Sequence, residues 1–147
     1  MDFQQLVSDF AGRHGIADLA ARDDAAALDI DGIAITLAAS GDTLLVSANI
    51  GEPPSCGRAE FAGLMLETNL RSEAFFAKEP ESGSYMLVRR LALPALEAED
   101  FDAALESLVN MAETWRRMLA DFRPIAKAAA EQDMEAPRFG AGGFVQV

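Results

Sequence analysis

Two tight turns constrain this chain more than any other feature. Asp31-Gly32 separates two runs of alternating apolar residues, and Gly41-Asp42 separates the second run from a third. Two-residue hairpin turns need positive φ, which Gly adopts freely and Asp tolerates. A loop at 31–32 places Ile30 opposite Ile33 and Leu28 opposite Ile35. A loop at 41–42 places Ala39 opposite Leu44, Leu37 opposite Val46, and Ile35 opposite Ala48. Both registers send one set to one face: Leu28, Ile30, Ile33, Ile35, Leu37, Leu44, Val46, Ala48 and Ile50. A slip of one residue would invert every side chain. The agreement therefore predicts a three-stranded antiparallel meander over residues 25–50.

The opposite face carries Ala27, Asp29, Ala34, Thr36, Ala38, Leu45, Ser47 and Asn49. These side chains are small and only weakly polar, and the Lys, Glu and Arg of an ordinary solvated face are nearly absent. Two readings follow. Either a second layer covers this face, or it is a docking surface for an extended peptide.

The flanking segments alternate helix and strand. Residues 2–14 predict a helix, with Asp2 as N-cap and Gln5 completing a variant capping box. Phe3, Leu6, Val7 and Phe10 make one apolar stripe, suited to the domain's own core or to sharing with a partner. Adjacent prolines make 51–57 a loop. Residues 58–72 predict a second helix, apolar around much of its circumference through Phe61, Ala62, Leu64, Met65, Leu66 and Leu70. Such a helix is buried on more than one side, and in so small a domain the second side points to a subunit partner. Residues 74–79 and 84–92 predict a second hairpin. A long helix follows over 97–122, with Phe101, Leu105, Leu108, Ala112, Trp115, Leu119 and Phe122 recurring at alternating steps of four and three. Pro124 ends it. A short Ala-rich helix at 125–133 and a mobile glycine-containing tail are expected beyond. The chain thus divides into an α+β domain over 1–123, in the order α-β-β-β-α-β-β-α with an antiparallel sheet, and a C-terminal segment over 124–147.

Composition narrows the chemistry. The 147 residues include one histidine, His14, and one cysteine, Cys56. A metal site built on several such ligands cannot be assembled, and no internal disulfide can form. Cys56 lies beside Arg58 and a helix start, but no base is in view. Gly140-Ala141-Gly142-Gly143 precedes no helix and is not a phosphate loop. Asp23, Asp24, Asp29 and Asp31 cluster in sequence, so a carboxylate enzyme or a cation site is one rival reading. The other reading gives Asp31 to the turn and the rest to solvent. No cofactor and no metal are expected. With 24 acidic against 12 basic residues, the formal net charge is -12, which disfavours nucleic acid and anionic membrane as partners. No stretch reaches the ~20 apolar residues needed to span a bilayer, and the N-terminus lacks a basic secretory n-region.

Element order, acidity and the doubly apolar second helix together resemble the type III secretion chaperones of the CesT/Tir-chaperone family. The likeness rests on Leu28-Asp29-Ile30-Asp31-Gly32, on Leu44-Leu45-Val46-Ser47-Ala48-Asn49-Ile50-Gly51, on Leu64-Met65-Leu66-Glu67-Thr68-Asn69-Leu70 and on the Phe101-to-Trp115 stretch. It extends over about residues 1–122. The resemblance implies a non-enzymatic homodimer in the bacterial cytoplasm. Such a dimer binds an extended N-terminal segment of a secreted effector and keeps it soluble and competent for secretion. By position, it implies a client groove at Phe3, Leu6, Val7, Phe10, Ala34, Thr36, Ala38, Leu45 and Ser47. It implies a dimer interface at Phe61, Leu64, Met65, Leu66 and Leu70. A non-catalytic adaptor of the same fold, unconnected with secretion, is the alternative, because fold does not fix function.

Overall fold

The computed structural model describes residues 2–19 and 21–124. Helix α1 (Phe3–His14) is followed by strands β1 (Ala25–Ile30), β2 (Ile33–Ser40) and β3 (Thr43–Gly51). Helix α2 (Arg58–Asn69), strands β4 (Phe75–Lys78) and β5 (Tyr85–Ala92), a 3-10 turn at Leu93–Ala95 and helix α3 (Ala98–Asp121) complete the order. The elements match the expected sequence, with ends shifted by a few residues. The segments expected at 125–133 and beyond lie outside the described residues.

Local chemistry explains the boundaries. The Asp2 side chain accepts the Gln5 N–H at 2.8 Å, and the Gln5 side chain accepts the Asp2 N–H at 3.2 Å. Two orphan donors at the start of α1 are thereby satisfied. At the first hairpin, Asp31 and Gly32 have φ of 53° and 82°, as a type I′ turn requires, and Asp29 Oδ1 accepts the Gly32 N–H at 2.9 Å. At the second turn only Gly41 is positive, at 60°, the pattern of a type II′ turn.

The pairings are those the turns dictate: Leu28 with Ile35, Leu37 with Val46, Ile35 with Ala48. The sheet has five strands, all antiparallel, in the order β1-β2-β3-β5-β4. The second hairpin thus joins the meander through its later strand, leaving β1 and β4 as edges. The three α-helices of the described residues lie on one face. Helix α3 packs on β3 with its margins on β2 and β5, α1 packs on α3, and α2 packs on β4. At the β4 edge Asn69, the last residue of α2, accepts the Phe76 N–H on its side chain at 2.7 Å.

The core sits between the sheet and the helices. Ile33, Ile35, Leu37, Leu44, Val46, Ala48 and Ile50 are fully buried there, facing Phe101, Leu105, Leu108, Ala112, Trp115 and Leu119 of α3. Trp115 meets Phe61 and Phe76 edge-on at ring distances of 5.8 Å and 4.6 Å. Gly57, with φ of 72°, lets Phe122 and Pro124 close over the loop before α2. A Cβ there would come within 2.8 Å of the Phe122 ring.

Candidate partner-binding surfaces

The sheet face opposite the helices is uncovered among the described residues. Ala34 and Thr36 are exposed, and Ala38, Leu45 and Ser47 are half-buried. The register joins them to residues that the sequence reading did not include. A transverse row runs Ala27, Thr36, Ser47, Val88, Phe75 across all five strands. A second row runs Ala25, Ala38, Leu45, Arg90. The Arg90 guanidinium lies over the Phe75 ring at 4.8 Å. A long cation therefore does stand on this face, beside Leu45, although the meander itself supplies almost no Lys, Glu or Arg to it. Period-two alternation in β5 was readable, but no tight turn ties β5 to β3, so sequence alone could not place Val88 and Arg90 on the same surface.

The apolar stripe of α1 faces inward, and Val7 and Phe10 also reach the walls of clefts. Phe3, Leu6, Val7 and Phe10, expected to meet a client, are buried in the chain's own core, and Phe10 packs edge-on against Phe101 at 5.3 Å. One apolar stripe has one surface to cover, and α3 with the sheet already supplies it. Helix α1 borders a cleft of about 570 Å³ whose walls include Gln4, Val7, Ser8, Ala11, Ile16 and Leu19.

Helix α2 divides into two faces. Phe61 and Met65, expected at a subunit interface, point into the core, with Phe61 stacked on Tyr85 at 6.0 Å. Leu64, Leu66 and Leu70 remain exposed, Leu66 at 66% and Leu70 at 88%. Ala59, Gly63, Leu66 and Leu70 recur on the outer side at helical spacing. Among the described residues outside the helix's own backbone, nothing lies within 4 Å of where a Gly63 Cβ would stand. Between α2 and β4 an apolar cleft of about 430 Å³ opens beside Leu66, Phe76 and Ala77.

The polar groups make no catalytic constellation among the described residues. His14 Nε2 contacts Asp102 Oδ2 at 3.3 Å, and Arg13 grips the same carboxylate while also pairing with Asp9 at 2.7 Å. Burial pushes the Asp102 carboxyl up. The hydrogen bonds and charges of Arg13 and His14 outweigh that and hold it below the ordinary aspartate value. The Asp102 hydrogen bond, with that of Asp9, likewise raises the Arg13 guanidinium. Cys56 is free and exposed in the loop before α2. Of the clustered aspartates, Asp23 and Asp31 adopt positive φ in turns and Asp29 caps a turn amide. No group of three or more such side chains among the described residues could hold a metal ion.

Comparison with known proteins places this architecture. Residues 5–116 match the Tir chaperone protein (CesT) family model. Over 121 residues the chain is 28% identical to the transcriptional anti-antiactivator ExsC of Pseudomonas aeruginosa, covering 78% of this chain and 83% of that protein. The fold is similar to that in the ExsC–ExsE complex, with a TM-score of 0.70, 26% identity, and coverage of 81% of this chain and 97% of the other. It is also similar to that in the HopA1–SchA chaperone–effector complex, with a TM-score of 0.67, 18% identity, and coverage of 78% and 93%. The match spans most of the α+β region, from α1 into α3, and the chain belongs to the CesT family of type III secretion chaperones.

Proposed function

We propose that this protein is a non-enzymatic chaperone that holds an extended segment of a type III secreted effector on the open face of its sheet. The observation that carries this reading is that three helices cover one face of the sheet and none of the described residues covers the other. Its rows of Ala, Thr, Ser and Leu offer shallow apolar sites without long acidic side chains, and Val88 is already buried among its neighbours. Recognition by grooves and strand edges needs no catalytic group. With a net charge of -12, the chain suits a neutral or basic client. The family and the complexes named above support the same role, and a bacterial cytoplasm suits it. No helix among the described residues is long and apolar enough to cross a membrane.

The active unit in this reading is a homodimer joined through α2. Small Ala59 and Gly63 allow close backbone approach, and Leu66 and Leu70 supply contact area that is wet in a single copy. Leu64 adds to the rim. Phe61 and Met65 support the helix from inside.

The test is capture of the partner from the native cell on tagged protein, with identification by mass spectrometry. One secreted protein, bound through a segment near its N-terminus, is the expected result. Leu45→Glu and Ala38→Arg should weaken that capture, because a dry groove cannot solvate the added charge. Folded variants that bind as well as the original would remove the outer face as the groove. Cys56→Ser should leave binding unchanged. A large loss in that folded variant would overturn the non-enzymatic reading. A second reading has one observation behind it: the ExsC relative is a transcriptional anti-antiactivator. In that case the captured partner is a regulator of transcription rather than an effector, and the same experiment separates the two.

A further inference from the structure

A different cleft, with a volume of about 670 Å³, lies between the end of α1, the β1–β2 turn and α3. Phe10, Ile16, Ile30, Leu105 and Val109 form its apolar floor, and Asp29, Asp31, Asp102 and Glu106 stand around it. Ile16 and Ile30 are only half-buried, so the floor keeps apolar surface in contact with water. Arg13 and His14 hold Asp102. No ion pair reaches Asp29, Asp31 or Glu106 among the described residues. Asp102 Oδ1 is buried and has no hydrogen-bond donor among them.

This combination selects among ligands. The carboxylates do not converge as a metal site would. They share one cleft with apolar side chains, which matches a basic chain that also carries aliphatic side chains. An anionic partner is repelled, and a purely polar cation leaves the Ile16 and Ile30 surface wet. Arginine fits better than lysine, because its weakly hydrated fork pairs with carboxylates in two-pronged fashion.

We propose that this cleft binds a basic, aliphatic segment of the partner protein, with apolar side chains on Ile16 and Ile30 and a cation at Asp31 and Glu106. The proposal rests on the chaperone reading and adds to it a second, charge-selective contact away from the open sheet face. It separates clients by sequence, where the sheet face accepts many extended segments.

The test uses the full chain, labelled with nitrogen-15, and three synthetic peptides of equal length: alternating Arg and Leu, alternating Glu and Leu, alternating Arg and Ser. The Arg–Leu peptide should shift the amide signals of Ile30, Asp31 and Glu106 and bind more tightly than the other two. Glu106→Lys combined with Asp31→Asn should weaken it about fivefold, and added salt should do the same. Glu106 is an exposed helix residue and Asn tolerates the turn, so the variant should fold. No shift at the cleft, equal binding of the Glu–Leu peptide, or unchanged binding by the variant would overturn the proposal. A client captured by the native chain and held equally by the variant would also overturn it, while leaving the chaperone reading intact. Failure to capture any client would remove that reading instead, and the peptide titration would still decide the cleft.

Discussion

The two faces of the one sheet are built from alternate residues of the same strands, yet they are covered differently. On the inner face Ile33, Ile35, Leu37, Leu44, Val46 and Ile50 are buried under α3 and its neighbours. Burying each such side chain contributes about 1.5–3 kcal/mol. On the outer face Ala34 and Thr36 stand exposed and Ala38, Leu45 and Ser47 half-exposed, so little of the fold's stability depends on them. Stability is concentrated on one face, which leaves the other free to be shaped for recognition. Its small residues keep most of the surface low, Arg90 and Asp29 apart, without making it a large bare patch.

This contrast can be broken most forcefully on the inner side. Leu37→Ala should cost about 2–5 kcal/mol in denaturant unfolding, since it leaves a cavity in a packed core. Thr36→Ala, its chain neighbour on the other face, should stay within about 0.5 kcal/mol. If the two cost the same, the faces are not functionally distinct.

Helix α2 repeats the contrast on a smaller scale, with Phe61 and Met65 inward and Leu66 and Leu70 outward. Leu66→Asp with Leu70→Asp should convert a homodimer to a monomer in light scattering, because each buried unpaired charge costs about 2 kcal/mol or more. Circular dichroism should show the helix content retained. A dimer that survives the double change places the interface elsewhere, and a monomeric native protein at micromolar concentration removes the premise.

Leu45→Glu should shift unfolding free energy by less than about 1 kcal/mol while weakening client capture about tenfold or more, as expected for a charge placed in a desolvated contact. A large loss of stability with unchanged capture would turn the outer face into a structural surface.

The smallest effect concerns the junction of α1 and α3. The Asp102 carboxyl titrates below its ordinary value in the folded chain. Its contribution is therefore present above the unfolded pKa of about 4 and is lost as pH falls through the lower folded value. Asp102→Asn should flatten the acid limb of stability against pH below about pH 4 and leave stability near neutral slightly reduced. An unchanged acid limb would mean that Arg13 and His14 do not hold this carboxylate in solution.

Some of this molecule was fully legible in the chain. The meander's register followed from Asp31-Gly32 and Gly41-Asp42, because a two-residue turn fixes which residues oppose each other. The seam from Phe101 to Leu119 followed from helical period, and the start of α1 from Asp2 and Gln5. These are local rules acting over one turn or one hairpin. The candidate surfaces were only half legible. Periodicity assigned Ala38 and Leu45 to one face, but it did not reveal that Val88, Phe75 and Arg90 extend that face.

The sequence by itself determined which side chains share a face within the meander and within each helix, and where each element lies to within a few residues. Those outcomes depend on backbone dihedrals, capping and strand alternation, which neighbouring residues control. Tertiary structure alone decided what covers each face. It turned Phe3, Leu6, Val7 and Phe10 into core, drew Phe61 and Met65 inward while leaving Leu66 and Leu70 in water, and inserted β5 between β3 and β4. The physical reason is that an apolar side chain is indifferent to its cover. A client, a second subunit and the chain's own α3 all remove it from water equally well. Only the closing of distant segments on one another selects among them.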